Sequence, residues 1–317
     1  NDGSLRLPSF FRKMQGKPGS SRAQRAVLPG MSGAGRPQAP AAGAIPASRN
    51  SNVRATTCQE RGDDRLKHFP LITAHTGCMN TPENTLLSVE TALRSEADII
   101  EVDIRVTRDG VAVLAHDEIL RLPDGASLSI SQSSFEELEG VDLPDGPGHA
   151  GTHRLVRLES NLPAVKAAGK MLNLDLKADE AIEAAGELTA RYGMAGRVLF
   201  TGCGAERARK ARGRCPFVRR LLNADAGLFR TAGPAEAARI ACDDALSAGC
   251  SGINIDYRLA GSELLKAAAR QGLPVYVWTV DDPRKMRHYA ELGVRGVTTR
   301  NVEALVCLKK EWESAPS

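Results

Sequence analysis

The chain has 317 residues, 42% of them apolar and 25% charged, with a formal net charge of +4; these are the proportions of a globular protein long enough for one large domain. Its apolar runs fall short of the roughly 18 residues that span a bilayer, which argues against stable membrane insertion. The positive charge is local: residues 1–59 hold nine Lys/Arg and one acid, a surplus of +8 that leaves −4 for the rest and argues against a nucleic-acid partner.

Residues 1–66 are rich in Gly, Pro, Ala, Ser and Arg, with too little apolar surface to offset chain entropy, and read as a disordered basic tail. The Arg-rich, acid-poor composition is also that of an organelle transit peptide, and the apolar centre of a secretory signal is missing. Seven cysteines, odd in number and without a Cys-x-x-Cys pair, argue against a disulfide framework or a zinc site. They favour a reducing compartment, so the cytoplasm is the expected location.

From residue 67 to 317 strand-like runs alternate with amphipathic helical stretches. A strand at 70–74 ends on His75, and a helix at 84–95 follows, with Asn84 or Thr85 as its N-cap. The start of that helix sits beside His75, where open backbone N–H groups favour an anion. Strand 99–106 carries Glu101-Val102-Asp103-Ile104-Arg105. Side chains alternate along a strand, so the two acids and Arg105 share one face and Ile100, Val102 and Ile104 the other. Two converging carboxylates repel unless a cation lies between them, and oxygen-only donors suit a hard ion such as Mg²⁺ or Ca²⁺. A solvated, charged outer face is the plainer reading of the same pattern.

Strand 111–116 follows after only four residues, too few for a parallel crossover. It must turn back as a hairpin arm through Asp109-Gly110, ending on His116-Asp117. Residues 118–153, rich in Gly, Pro and Asp, read as a mouth-covering loop with a short helix near 134–139. Helix 158–168 leads to strand 171–176, where Asn173, Asp175 and Lys177 alternate with leucines: a third metal acid and a phosphate-binding cation, or an internal Asp–Lys pair. Helices at 180–192, 205–212, 234–248, 261–271, 283–292 and 302–313 alternate with strands at 197–201, 217–222, 252–255, 274–280 and 296–298. With the hairpin arm set aside, eight βα units remain, the number that closes a TIM barrel. Polar residues cluster at the C-terminal strand ends, where such barrels carry their sites. His75 and His116 there suit general acid–base work, although strand-end histidines are often mere polar trim. Trp278, ending the seventh barrel strand, serves equally as a ligand wall or as core filling.

In combination, His75-Thr76-Gly77, Pro82-Glu83-Asn84-Thr85, Glu101-Val102-Asp103, Thr107-Arg108-Asp109-Gly110, His116-Asp117, Asp175-Leu176-Lys177 and Trp278-Thr279-Val280 resemble the glycerophosphodiester phosphodiesterase family, a group of phospholipase C-like TIM-barrel phosphodiesterases. The resemblance runs from about residue 71 to 308. It implies a divalent ion on Glu101, Asp103 and Asp175, with His75 and His116 exchanging protons and Lys177 steadying the phosphoryl oxygens. It also implies a small-molecule phosphodiester as substrate, cut to glycerol 3-phosphate and an alcohol by way of a cyclic phosphate. Asn84, Thr76 and Trp278 stand at expected substrate contacts. Lyso- or intact phospholipids are an alternative substrate class, and a non-catalytic barrel that binds a phosphorylated ligand is another reading.

Three positions depart from the family pattern. Thr76 replaces an Arg, which removes a bidentate phosphate clamp that Thr cannot supply; Arg105 is the expected substitute. Asp175 replaces a Glu. After the final strand Thr298-Thr299-Arg300-Asn301 stands where an acid is expected.

Overall fold

The computed structural model describes residues 68–314, so the tail expected at 1–66 lies outside the described residues. The barrel strands are β1 (Leu71–Ala74), β2 (Ile99–Val106), β3 (Met171–Leu176), β4 (Val198–Thr201), β5 (Arg219–Arg220 with Leu222–Asn223), β6 (Ile253–Asp256), β7 (Val275–Trp278) and β8 (Gly296–Thr299). All pair in parallel, in sequence order, and β8 returns to β1. Helices α1 (Leu86–Arg94), α2 (Leu158–Ala167), α3 (Ala181–Arg191), α4 (Ala205–Arg214), α5 (Pro234–Ser247), α6 (Ser262–Arg270), α7 (Pro283–Glu291) and α8 (Val302–Ser314) alternate with them. This is the TIM barrel that the eight βα units predict.

The period of two along the strands divides the barrel into an apolar jacket and a polar interior. Ile100, Val102 and Ile104 of β2, and Leu172, Leu174 and Leu176 of β3, are fully buried in one core cluster with the surrounding helices. Glu101, Asp103, Asn173 and Asp175 take the alternate positions and line a cleft at the barrel mouth. Truncating a buried residue such as Ile104 to Ala costs about 2–5 kcal/mol.

Strand β5 departs from the expected continuous run at 217–222. The chain changes partners at Leu221, whose N–H reaches Phe200 O of β4, while Leu222 N–H reaches Gly252 O before β6. One strand therefore serves two neighbours in halves, and its apolar pattern carries no sign of the switch. A further short helix, Ala226–Thr231, is capped by Asp225 and was not expected; six residues give too little periodicity to register.

The hairpin arm is antiparallel, as the four-residue connection requires. Ala112–Leu114 pairs β2 with Ile104 opposite Leu114, and Gly110 turns at φ +84°. Val156–Arg157 then adds to the arm's outer edge. The insertion is more structured than a loop with one helix. It holds two short antiparallel ladders, Ile119–Arg121 with Ser127–Ser129 and Leu143–Pro144 with Thr152–His153, plus helix Phe135–Glu139 closed by a Ser134/Glu137 capping box. Ile130, Phe135, Leu138, Leu143 and Leu155 pack with Val113 and Ala115 into a second small core on the arm. The insertion is thereby seated on the arm that ends in His116.

Candidate active site

Register builds the centre of the site. Glu101 lies opposite Asn173, Asp103 opposite Asp175, and Asp175 opposite Thr201 in the next strand. Parallel pairing thus brings Asp103 and Asp175 side by side, with Glu101 one inward position below Asp103. One oxygen from each of Glu101, Asp103 and Asp175 lies within 4.8 Å of the other two. Glu101 and Asp103 are 4% and 3% exposed, so their charges are not screened by water. Burial, then the charges of Asp103 and Asp175, hold the Glu101 carboxyl well above its ordinary 4.5. Burial likewise raises Asp175 against the opposing charge of Lys177. Among the described residues, Asp175 Oδ1 is buried without a hydrogen-bond partner. An orphaned carboxylate oxygen among three crowded acids fits an oxygen-seeking cation: Glu101, Asp103 and Asp175 match a hard divalent ion.

Lys177 closes one side of this group. Its Nζ lies 2.8 Å from Asp103 Oδ1 and 3.0 Å from Asp175 Oδ2. Burial alone would lower its pKa, but Asp175 and Asp103 outweigh it and keep the ammonium above its ordinary value. Gly202, at the end of β4, makes room for Asp175: a Cβ there would fall 2.2 Å from Asp175 Oδ1, at φ +69°. Gly202 is a site residue that reading the sequence missed, since nothing local distinguishes it from a turn glycine.

The two histidines face the same cleft, a volume of 780 Å³. His75 Nδ1 is 2.6 Å from Thr76 O. A carbonyl only accepts, so Nδ1 carries the proton and Nε2 is left for a ligand. Burial first, then the Arg300 charge, push the imidazole below its ordinary 6.5. His116 follows the returning strand of the hairpin arm, at the end away from its turn, and is largely exposed, with Nδ1 2.7 Å from Asp117 Oδ1. Its carboxylate partner also leaves Nε2 outward.

The expected substrate contacts divide. Trp278 lines the cleft, and its indole N–H is buried without a partner among the described residues. Thr76 and Asn84 do not reach it. Thr76 is 2% exposed; its Oγ1 accepts Asn84 N–H at 2.6 Å and its own N–H binds Glu101 Oε2 at 2.9 Å. The Asn84 amide is spent on Asp103, and Thr85 is the cap of α1, accepting Ser88 N–H. Thr76 and Asn84 brace Glu101 and Asp103, to which their polar groups are bonded inside the protein.

Arg105, expected as the substitute phosphate clamp, is bonded within the protein. Its Nε donates to His116 O at 2.8 Å and its Nη1 to Glu118 Oε2 at 3.0 Å. Glu118 in turn accepts from Ser129 and Ser131 of the insertion. Arg105 pins the arm and insertion and is absent from the cleft wall. Arg300 is on that wall, paired with Glu83 at 2.8 Å. At position 300, where the family pattern expects an acid, the cleft has gained a cation.

One cleft at the barrel mouth thus holds a crowded acid trio, an ammonium paired to two of its members and two histidines. The model of the family described as glycerophosphoryl diester phosphodiesterase matches residues 75–304, every residue of this site included, and the chain belongs to that family. It is 27% identical over 241 residues to glycerophosphodiester phosphodiesterase GDPD4 of Arabidopsis thaliana, across 74% of this chain and 72% of that protein. A shorter match, 30% over 137 residues, joins it to lysophospholipase D GDPD3 of Mus musculus, across 40% of this chain and 42% of that one. The fold matches an Oleispira antarctica phosphodiesterase solved with the product sn-glycerol-3-phosphate, with a TM-score of 0.64 at 20% identity over 78% of this chain and 99% of that one.

Proposed function

We propose that this chain hydrolyses glycerophosphodiesters to glycerol 3-phosphate and an alcohol. The observation that carries the reading is the convergence of Glu101, Asp103 and Asp175 within 4.8 Å, in one cleft with both histidines. Glu101, Asp103 and Asp175 would hold a divalent cation, Mg²⁺ or Ca²⁺, which when bound supplies Lewis-acid neutralisation of phosphoryl oxygens. The remaining work falls to protein groups. His75, kept neutral by burial, accepts at Nε2 the proton of the substrate's own neighbouring glycerol hydroxyl as that oxygen bonds to phosphorus. His116, oriented by Asp117, protonates the alcohol whose bond to phosphorus breaks, leaving a cyclic phosphate that water opens to glycerol 3-phosphate with the two histidines' roles reversed. Lys177 stays cationic and faces the negative charge that builds on the phosphoryl group. The product bound in the Oleispira antarctica structure supports the choice of substrate.

A second reading, lysophospholipid as substrate, rests on the mouse relative's printed activity and on a neighbouring 810 Å³ cavity. Leu120, Leu143 and Leu155 of the insertion region line that cavity, which also reaches His116. Among the described residues no helix is long and apolar enough to cross a membrane. Six described cysteines are free thiols, five of them buried, in keeping with a reducing compartment such as the cytoplasm.

The test is alcohol release from glycerophosphocholine and from lysophosphatidylcholine, with Mg²⁺, with Ca²⁺ and with chelator. Release from the first substrate that requires a cation is expected. No release from any glycerophosphodiester under any cation would end the reading.

A further inference from the structure

Four Lys/Arg side chains line the cleft: Lys177, Arg207, Arg258 and Arg300. A phosphodiester is an anion, and it must enter a cleft crowded with carboxylates, so which of these cations can bind it decides recognition. Lys177 is shared between Asp103 and Asp175. Arg207 is consumed by Asp179 and by the carbonyls of Leu176 and Gly202. Arg258 is clasped by both oxygens of Asp256. Arg300 alone among the four holds its partner loosely: Nε (3.3 Å) and Nη2 (2.8 Å) both point at one oxygen, Glu83 Oε1, and Nη1 donates to no atom of the described residues.

The backbone fixes where this guanidinium starts. Ala74 of β1 lies opposite Thr299 of β8, and His75 N–H binds Thr299 O. Arg300 N–H is held by Asp281 Oδ1 at 2.7 Å, and its carbonyl receives Met79 N–H. The two sequence departures at 76 and 300 therefore stand on adjacent strand ends. A positive charge missing from the end of β1 is present one strand away.

We propose that Arg300 is the phosphate-binding arginine of this site, its charge moved from the end of β1 to the end of β8, with Glu83 as the anion that occupies it until a phosphoryl group takes its place. The inference rests on the proposed phosphodiesterase reading. The planar fork suits two phosphoryl oxygens as it suits a carboxylate. Exchange is accessible, since the side chains of Arg300 and Glu83 are 41% and 47% exposed.

The experiment is calorimetric binding of sn-glycerol 3-phosphate and of inorganic phosphate to the full chain, with steady-state kinetics on glycerophosphocholine alongside. Arg300→Ala should weaken binding about 10- to 100-fold and raise KM more than it lowers kcat. Arg300→Lys should recover part of the loss, and Glu83→Gln should bind several-fold tighter. Unchanged binding in Arg300→Ala, or an equal loss in Arg258→Ala, would overturn the assignment, and weaker binding in Glu83→Gln would overturn the exchange. A wild-type chain that binds sn-glycerol 3-phosphate through Arg300 yet cuts no glycerophosphodiester would sink the hydrolytic reading and leave the clamp standing.

Discussion

Asn84 grips Asp103 from two directions: its Nδ2 donates to Asp103 Oδ2 at 2.8 Å, and its Oδ1 accepts Asp103 N–H at 3.1 Å. Both residues are buried, and Asn84 sits at φ +57°, a backbone region where Asn is one of the few tolerated side chains. The Pro-Glu-Asn-Thr stretch at the start of α1 thus orients Asp103, a member of the acid trio on another element. Asn84→Ala should destabilise the fold by about 2–4 kcal/mol, because a buried carboxylate oxygen and a buried N–H lose their partners. It should weaken cation affinity about 10- to 100-fold, the usual effect of losing a hydrogen bond to a ligand. Thermal unfolding with and without cation separates the two losses, and Asn84→Asp, which sets two carboxylates together, should be worse than Ala.

Glu101 links cation binding to protons. Burial, and then Asp103 and Asp175, keep its carboxyl protonated above the ordinary 4.5. The folded, cation-free chain therefore holds more protons than the unfolded chain between 4.5 and the raised value. Glu101's contribution to stability is present below 4.5 and is lost as pH rises through that window. Cation binding needs the carboxylate, so affinity should rise with pH and each binding event should release protons. Calorimetry in two buffers of different ionisation enthalpy reads the release directly. Glu101→Gln should leave the cation-free protein more stable by about 1 kcal/mol while abolishing stabilisation by the cation.

Gly202 is under a double constraint, a positive φ and a Cβ position already taken by Asp175 Oδ1 and by the Leu176 backbone. Gly202→Ala should cost at least about 2 kcal/mol and displace Asp175. A lowered melting temperature together with a lost cation shift is the expected signature. A melting-temperature change with normal cation affinity would show that Asp175 is not positioned through this contact.

The pH profile should identify the base. Burial and Arg300 lower the His75 pKa below 6.5, and the base acts only when neutral. Activity therefore rises with pH through that lowered value, and the acidic limb of kcat/KM should fall below the range of a free imidazole. His75→Ala and His116→Ala should each reduce kcat about 10²- to 10⁴-fold with the fold intact by circular dichroism.

Arg105 holds the His116 carbonyl and Glu118, so Arg105→Ala should loosen the arm that carries one histidine. A fall in kcat with KM little changed is expected. A raised KM with normal kcat would instead restore Arg105 to the role of a phosphate contact.

The amino-acid sequence by itself determined the barrel, because alternation along each strand and helical stretches of regular length are local properties that survive without knowledge of neighbours. It also determined the Glu101/Asp103 face and the hairpin arm, whose four-residue link at Thr107–Gly110 permits no other return; Asp175 joins those two acids only through the pairing of β2 with β3. Partnership was decided only by the tertiary structure. Arg105 and Arg300 are both cations at strand ends, but pairing places Arg105 under the insertion at Glu118 and Arg300 at the cleft beside Glu83. Asn84 and Thr76 sit among the site's motifs, but burial turns their polar atoms toward Asp103 and Glu101. A side chain's direction is fixed by alternation, which the sequence carries. What it meets there depends on residues far away in the chain, brought near only when the strands pair and, for Arg300 and Glu83, when β8 closes against β1.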